Sequence, residues 1–241
     1  MKRSYIAVDI ETTGLRPEED AIIEIGAVKY VDGEVVDTYS SFINPGITLP
    51  SRIVDLTGIT DEMLEDARSI KEVLPEFLEF FDTDLILGHN IKFDFSFLKT
   101  AAMRLGYSFE TRGIDTLRLA KVIHPELPSR TLEAMCEKYG IIRENKHRAY
   151  DDAKAAAELY EGLIKKCIED KKQLDDQFEP EVLNYKPKKQ EPITAKQKKY
   201  LLDLMEYHNI SEKVNLDELT KSSASKLIDK IILNHGMLSR R

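Results

Sequence analysis

The chain is poor in the features that mark several protein classes. Tryptophan is absent, and cysteine occurs only twice in 241 residues, as Cys136 and Cys167. The two thiols fit no metal-binding or redox spacing and fall in helical patterns, so packed, reduced side chains are expected. No stretch approaches the length of an apolar membrane span. The N-terminal apolar run Tyr5-Ile6-Ala7-Val8 is interrupted by Asp9 and Glu11, unlike the core of a secretory signal. A cytoplasmic location with no membrane partner is the resulting expectation. Basic charge is also scarce, with a net charge of -8. Its distribution is more informative than its sum. From residue 186 onward twelve Lys and Arg stand against seven Asp and Glu, a net +5, whereas residues 1–185 carry −13. An acidic front half can approach phosphate only if cations lie between them.

What is present suffices for one sizeable core and a smaller module, since 42% of residues are hydrophobic and 32% charged. Residues 5–11, 21–31 and 34–43 read as strands, with Asp32-Gly33 as a tight turn between the last two. Glu24 interrupts the second. Helices are expected over 60–65, with Thr60 as N-cap, and over 70–81. A short strand from Asp84 to Leu87 ends at Gly88. A helix from Phe93 to Leu105 stops at Gly106, and another strand ends near Asp115. Helices follow at 116–122, 131–139 and 149–169. Strands that begin as a hairpin and then alternate with helices predict an α/β fold, a mixed sheet with helices on its faces. Residues 1–169 form this first domain. Residues 170–192, rich in charge and proline, read as a linker. Residues 193–241 read as a small all-α module, with a capping box at Thr194–Gln197 and a second helix over 222–234.

The residues Asp9-Ile-Glu-Thr-Thr-Gly-Leu15 carry the strongest chemical signal. Side chains alternate along a strand, so Asp9 and Glu11 share a face with Tyr5 and Ala7, opposite Ile6, Val8 and Ile10. Two carboxylates at a buried strand end repel each other and resist desolvation. A hard divalent cation answers that problem, as does exposure of the strand end to water. Asp94 lies on the same helical face as Phe97, Leu98 and Ala101, where it is either a first-turn dipole partner or part of the same cluster. Asp152 lies beside the stripe Ala149, Ala153, Ala156 and Tyr160, whereas Asp151 is rotated about 100° toward solvent. His147, just before that helix, is a surface residue or, beside a metal cluster, a general base.

With Asp9-x-Glu11, His89-Asn90-x-x-Phe93-Asp94 and His147-x-Ala149-x-x-Asp152 in this order, residues 4–165 resemble the DEDDh family of 3′–5′ exonucleases. That family includes proofreading subunits of bacterial replicative polymerases. Leu56-Thr57-Gly58-Ile59-Thr60 is similar to a further family segment. The resemblance implies a ribonuclease H-like, five-stranded mixed sheet and two Mg²⁺ or Mn²⁺ ions. By that analogy Asp9 bridges both ions, Glu11 and Asp152 bind the one that activates water, Asp94 holds the second, and His147 accepts the water's proton. It implies 3′–5′ exonuclease activity on single-stranded DNA ends in replication proofreading or repair, with RNA trimming or non-catalytic docking as alternatives. A replicative polymerase or other replication protein is the implied partner. Backbone N–H groups around Thr12, Thr13 and Gly14 are candidates for the terminal nucleotide. His89 and Asn90 join them as substrate-binding candidates. Leu15 and Phe93 either stack on terminal bases or pack in the core. In the C-terminal module, Lys196, Lys198, Lys199, Lys221, Lys226 and Lys230 either follow a phosphate backbone or form a solvated helix surface. Residues 173–178 faintly resemble a sliding-clamp-binding peptide.

Overall fold

The computed structural model describes residues 4–82, 85–170, 178–188, 191–211, 214–216 and 219–238. It divides into two compact units, residues 1–187 and 188–241. The beginning of the fourth strand at Asp84 and most of the clamp-like peptide, residues 173–177, lie outside the described residues.

The first unit opens with β1 (Ser4–Thr12), β2 (Ile22–Val31) and β3 (Glu34–Phe42), an antiparallel meander. Asp32 and Gly33, both at positive φ, make the tight β2–β3 turn. The next elements are α1 (Ser51–Thr57), α2 (Asp61–Leu64), α3 (Ile70–Phe80), β4 (Leu85–Gly88), α4 (Lys92–Arg104) and β5 (Arg112–Asp115). They are followed by α5 (Thr116–Ile123), α6 (Leu132–Tyr139), α7 (Ala149–Glu169) and β6 (Glu181–Val182). The strand order is β3-β2-β1-β4-β5-β6, with β1, β4 and β5 parallel and the remaining pairs antiparallel.

The alternation along β1 follows the sequence pattern. Ile6, Val8 and Ile10 enter a core with α3 and α4, and Tyr5 and Ala7 enter the core on the other face with α5, α6 and α7. The long helix α7 lies close to the sheet because small residues face it. Ala149, Ala153, Ala156 and Ala157 are buried, and a Cβ on Gly26 would stand 2.1 Å from the Ala149 carbonyl carbon. Glycine at position 26 is therefore a requirement of the β2–α7 approach.

Two features depart from expectation. The sheet has six strands instead of five, because residues read as linker return to pair with β5. Arg112 pairs with Val182 and Gly113 with Glu181, and buried Leu183 fills the space a Cβ on Gly113 would need, 2.6 Å away. Phe178 packs on the α7-side core, and Arg118 and Arg112 donate to the carbonyls of Glu179 and Pro180. Helix α1 was not expected either. It closes at Gly58, whose φ of 69° lets its N–H reach the Val54 carbonyl.

The second unit holds α8 (Ala195–Tyr207) and α9 (Lys221–His235). Capping boxes start both helices, at Thr194 with Gln197 and at Thr220 with Ser223. Leu201, Leu204, Ile228 and Ile231 form the buried centre. Gln197 Nε2 donates to the Lys221 carbonyl and to Ser225 Oγ, joining the two helix starts.

Candidate active site

Three elements place carboxylates at one end of the sheet. Strand β1 carries Asp9 and Glu11, α4 carries Asp94 in its first turn, and α7 carries Asp152 in its first turn. Asp94 and Asp152 are buried, and Asp9 and Glu11 half-buried. Asp94 Oδ1 accepts the Ile10 N–H at 3.0 Å, which ties α4 to β1 between the two β1 carboxylates. One ligand atom each from Glu11, His147 and Asp152 lie within 4.8 Å of one another. Their O and N donor types suit a divalent cation. His147, expected only as a base, thus sits at ligand distance, with its backbone at a φ of 58°.

The electrostatics show what this convergence costs the fold. Burial raises the Asp9 carboxyl well above its usual range, and neighbouring Asp94, Glu11, Asp152 and Glu24 raise it further. Burial, with Asp152, Glu24 and Asp94, pushes Glu11 up to about 8, opposed by Arg148. Burial likewise pushes Asp94 up to about 8 against the lowering effect of two backbone hydrogen bonds, its own N–H and that of Ile10. Held so close, these groups favour a proton or a cation.

Three residues with no site role in the sequence pattern complete this region. Glu24 is 1 % exposed and stands directly across the β1–β2 ladder from Glu11. Its carboxylate accepts from Arg148 Nε and Nη2, at 3.1 and 3.0 Å, and from the Ala149 N–H at 3.1 Å. The Arg148 guanidinium also lies over the Phe42 ring, 4.7 Å from its centroid. This clamp fixes the start of α7 on β2, one turn before Asp152. Arg143, from the α6–α7 loop, donates from Nη1 to Asp152 Oδ1 at 2.7 Å. The interruption of β2 by Glu24 was the one sequence signal for this group. The arginines gave none, because their partners are distant in sequence or visible only in three dimensions.

The expected substrate residues are differently placed. Leu15 is 81 % exposed at the tip of the β1–β2 loop. The Thr12 hydroxyl donates to the Gly14 carbonyl, and Thr13 Oγ1 accepts the Ala21 N–H. The Thr13 N–H, one of the groups expected to face a nucleotide, instead donates to the Ala21 carbonyl at 2.9 Å. A Cβ on Gly14 would meet the Asp20 carboxylate at 2.4 Å, so this loop closes around its own residues. His89 uses both ring nitrogens within the protein, on Thr116 Oγ1 and the Arg130 carbonyl, each at 2.9 Å. Asn90 is exposed at a φ of 72°. Phe93 is half-buried against Phe97, with ring centroids 5.0 Å apart. Asp151, half-buried, accepts from the backbone and side-chain N–H groups of Asn145.

A ribonuclease H-like sheet that gathers four carboxylates and a histidine at one end defines a class of nuclease. The chain belongs to the exonuclease family, whose RNase_T model matches residues 6–160. It is 43% identical over 166 residues to the DNA polymerase III PolC-type of Clostridium perfringens, covering 69% of this chain and 12% of that protein. The PolC-type polymerase of Pediococcus pentosaceus is 34% identical over 98% of this chain and 17% of its own length. The chain thus spans under one fifth of these two relatives. Among solved structures, E. coli Exonuclease I in complex with a dA16 oligonucleotide superposes with a TM-score of 0.62 at 21% identity, over 69% of this chain and 42% of that one. Exonuclease X in complex with 5′ overhanging duplex DNA gives 0.55 at 22% identity, over 72% and 97%. At these identities the structural likeness establishes the fold. No helix among the described residues is long and apolar enough to cross a membrane.

Proposed function

We propose that this chain is a metal-dependent 3′–5′ exonuclease that removes nucleotides from the 3′ ends of single-stranded DNA in replication proofreading or repair, in the cytoplasm. The convergence of Asp9, Glu11, Asp94 and Asp152 with His147 carries the reading. Asp9, Glu11 and Asp94 all have raised proton affinity, as expected of a pocket built to take positive charge. Asp9, Glu11, Asp94 and Asp152 would hold the divalent ions, Mg²⁺ or Mn²⁺. Ions held there would make a water more acidic and would offset phosphate charge.

The protein's own groups do the rest. His147 accepts the proton of the attacking water at a ring nitrogen, and its loop can exchange that proton with solvent. Asp94, held by the Ile10 N–H, keeps its carboxylate fixed while charge develops. The Glu24–Arg148 clamp keeps the first turn of α7 from turning Asp152 away. Leu15, the exposed apolar tip beside the site, meets the terminal base, and Asn90 and Gly14 line the approach. Similarity to PolC-type polymerases supports a replication setting and a polymerase or other replication partner. The second unit, in the basic part of the chain, is proposed to add nucleic-acid affinity.

Digestion of matched 3′- and 5′-labelled DNA and RNA oligonucleotides, with and without Mn²⁺, tests this directly. Stepwise loss from the 3′ end of single-stranded DNA, only with metal, is expected. Faster loss from RNA would replace DNA by RNA as the substrate. No turnover on either would leave a docking role.

A further inference from the structure

The α6–α7 loop brings two guanidinium groups to the carboxylate cluster, and they are used differently. Arg148 grips Glu24, which lies behind the site and belongs to the frame. Arg143 grips Asp152, one of the three residues whose ligand atoms converge. Its side chain is 5 % exposed and that of Asp152 9 %, so the pair is almost fully desolvated. A guanidinium is a poor companion for a metal ligand. A ligating histidine is held by acceptors that raise its basicity, whereas a ligating carboxylate is held by donors, and a charged donor lowers its basicity. A cation on the same carboxylate also competes for its lone pairs and repels an incoming ion.

We infer that Arg143 is an internal counter-cation of the site, which occupies the Asp152 carboxylate in the metal-free protein and is displaced when a divalent ion binds the Glu11 and Asp152 carboxylates. The inference rests on the metal-dependent reading above. Three observations carry it. The cluster of Asp9, Glu11, Asp94, Asp152 and Glu24 would hold an unpaired buried carboxylate at Asp152 without Arg143, a costly arrangement. The two partners sit on elements of different kind, Asp152 on α7 and Arg143 in a loop between Gly140, at a φ of 68°, and His147, at 58°. The guanidinium can therefore leave while α7 stays clamped on β2. Next to Arg143, Ile142 is 87 % exposed, so a change at position 143 need not drag a packed neighbour with it.

The sign of one measurement decides the matter. If Arg143 merely oriented Asp152, its removal would weaken metal binding. If it competes, removal strengthens binding and weakens the metal-free fold. Full-length wild type, Arg143→Gln and Arg143→Lys, stripped of metal, would be titrated with Mn²⁺ by calorimetry and melted with and without Mn²⁺. Arg143→Gln should bind Mn²⁺ about tenfold or more tightly, the scale on which groups beside metal ligands act. Its metal-free melting temperature should fall, and its gain on adding Mn²⁺ should exceed that of wild type. Arg143→Lys, which keeps the charge but not the fork, should lie between. If Arg143→Gln does not fold without metal, the same ordering is read from Arg143→Lys against wild type. Equal or weaker Mn²⁺ binding in the variants overturns the inference while the metal site stands. Failure of wild type to bind Mn²⁺ at all overturns both.

Discussion

The two units differ in what their sequences must achieve. The first holds four inward carboxylates and a buried glutamate near one another, against their mutual repulsion. It does so with a six-stranded sheet, cores on both faces and an alanine-lined helix that lies close enough to deliver Asp152. Among its described residues the second carries no such conflict. Its buried centre is Leu201, Leu204, Ile228 and Ile231, and two capping boxes start its helices. A reactive site needs surplus stability elsewhere in its frame, because the features that make it reactive destabilise it. A small module with few buried side chains has little such surplus, and its exposed lysines demand none.

The largest effect that would sharpen this contrast is the loss of turnover in Asp9→Ala. Nuclease activity should disappear, while the metal-free melting temperature stays level or rises because one repelling carboxylate is gone. A labelled-oligonucleotide assay beside calorimetry reads both, and near-normal turnover would break the assignment. Next is His147→Ala, expected to slow turnover by about 10²- to 10⁴-fold, the range for a lost general base. Mn²⁺ titration of this variant separates the roles, because a large loss of metal affinity would make His147 a ligand.

Chain truncation should separate the units themselves. Ending the chain at residue 187 should leave cleavage of short oligonucleotides within about twofold, as every residue of the cluster is retained, but flatten the salt dependence of binding to long strands. Ending it at residue 169 should destabilise the nuclease, by about 2–5 kcal/mol for the loss of buried Leu183 alone, with the packing of half-buried Phe178 lost as well. Equal melting temperatures for the two truncations would show that β6 adds nothing. The most gradual effect is a pH slope. Glu11 and Asp94, near 8 in the fold, titrate at about 4 when unfolded. The folded state then holds protons that the unfolded state has released, so metal-free stability should decline as pH rises from about 4 to 8. Mn²⁺ should flatten that slope, and Asp94→Asn should reduce it, as melting curves at several pH values would show.

The sequence revealed the parts of the molecule whose signals are local. Asp9 and Glu11 were placed on one face by strand alternation, and Asp152 was separated from Asp151 by helical rotation. Thr194 and Gln197 announced α8. Strand β6 has no sequence signal because two residues, Glu181 and Val182, carry no periodicity, and its place depends on the missing Cβ of Gly113 meeting Leu183. Arg143 and Arg148 were unremarkable in a polar loop; only the fold brings Glu24 beneath one and Asp152 beside the other. The closure of Thr12 and Thr13 on Gly14 and Ala21 depends on a loop conformation that residue types alone do not specify.

Gly26, the ladder partner of Asp9, shows how a site can be fixed by a residue that lends it no side chain. No side chain fits between β2 and the first turn of α7. For the gene, this makes codon 26 a position without a conservative alternative. Every missense change there adds at least a methyl group, and that methyl lands on the peptide that begins the helix carrying Asp152. Mutational scanning should therefore find at a buried glycine the same intolerance as at the carboxylates themselves, although the glycine has no chemistry of its own.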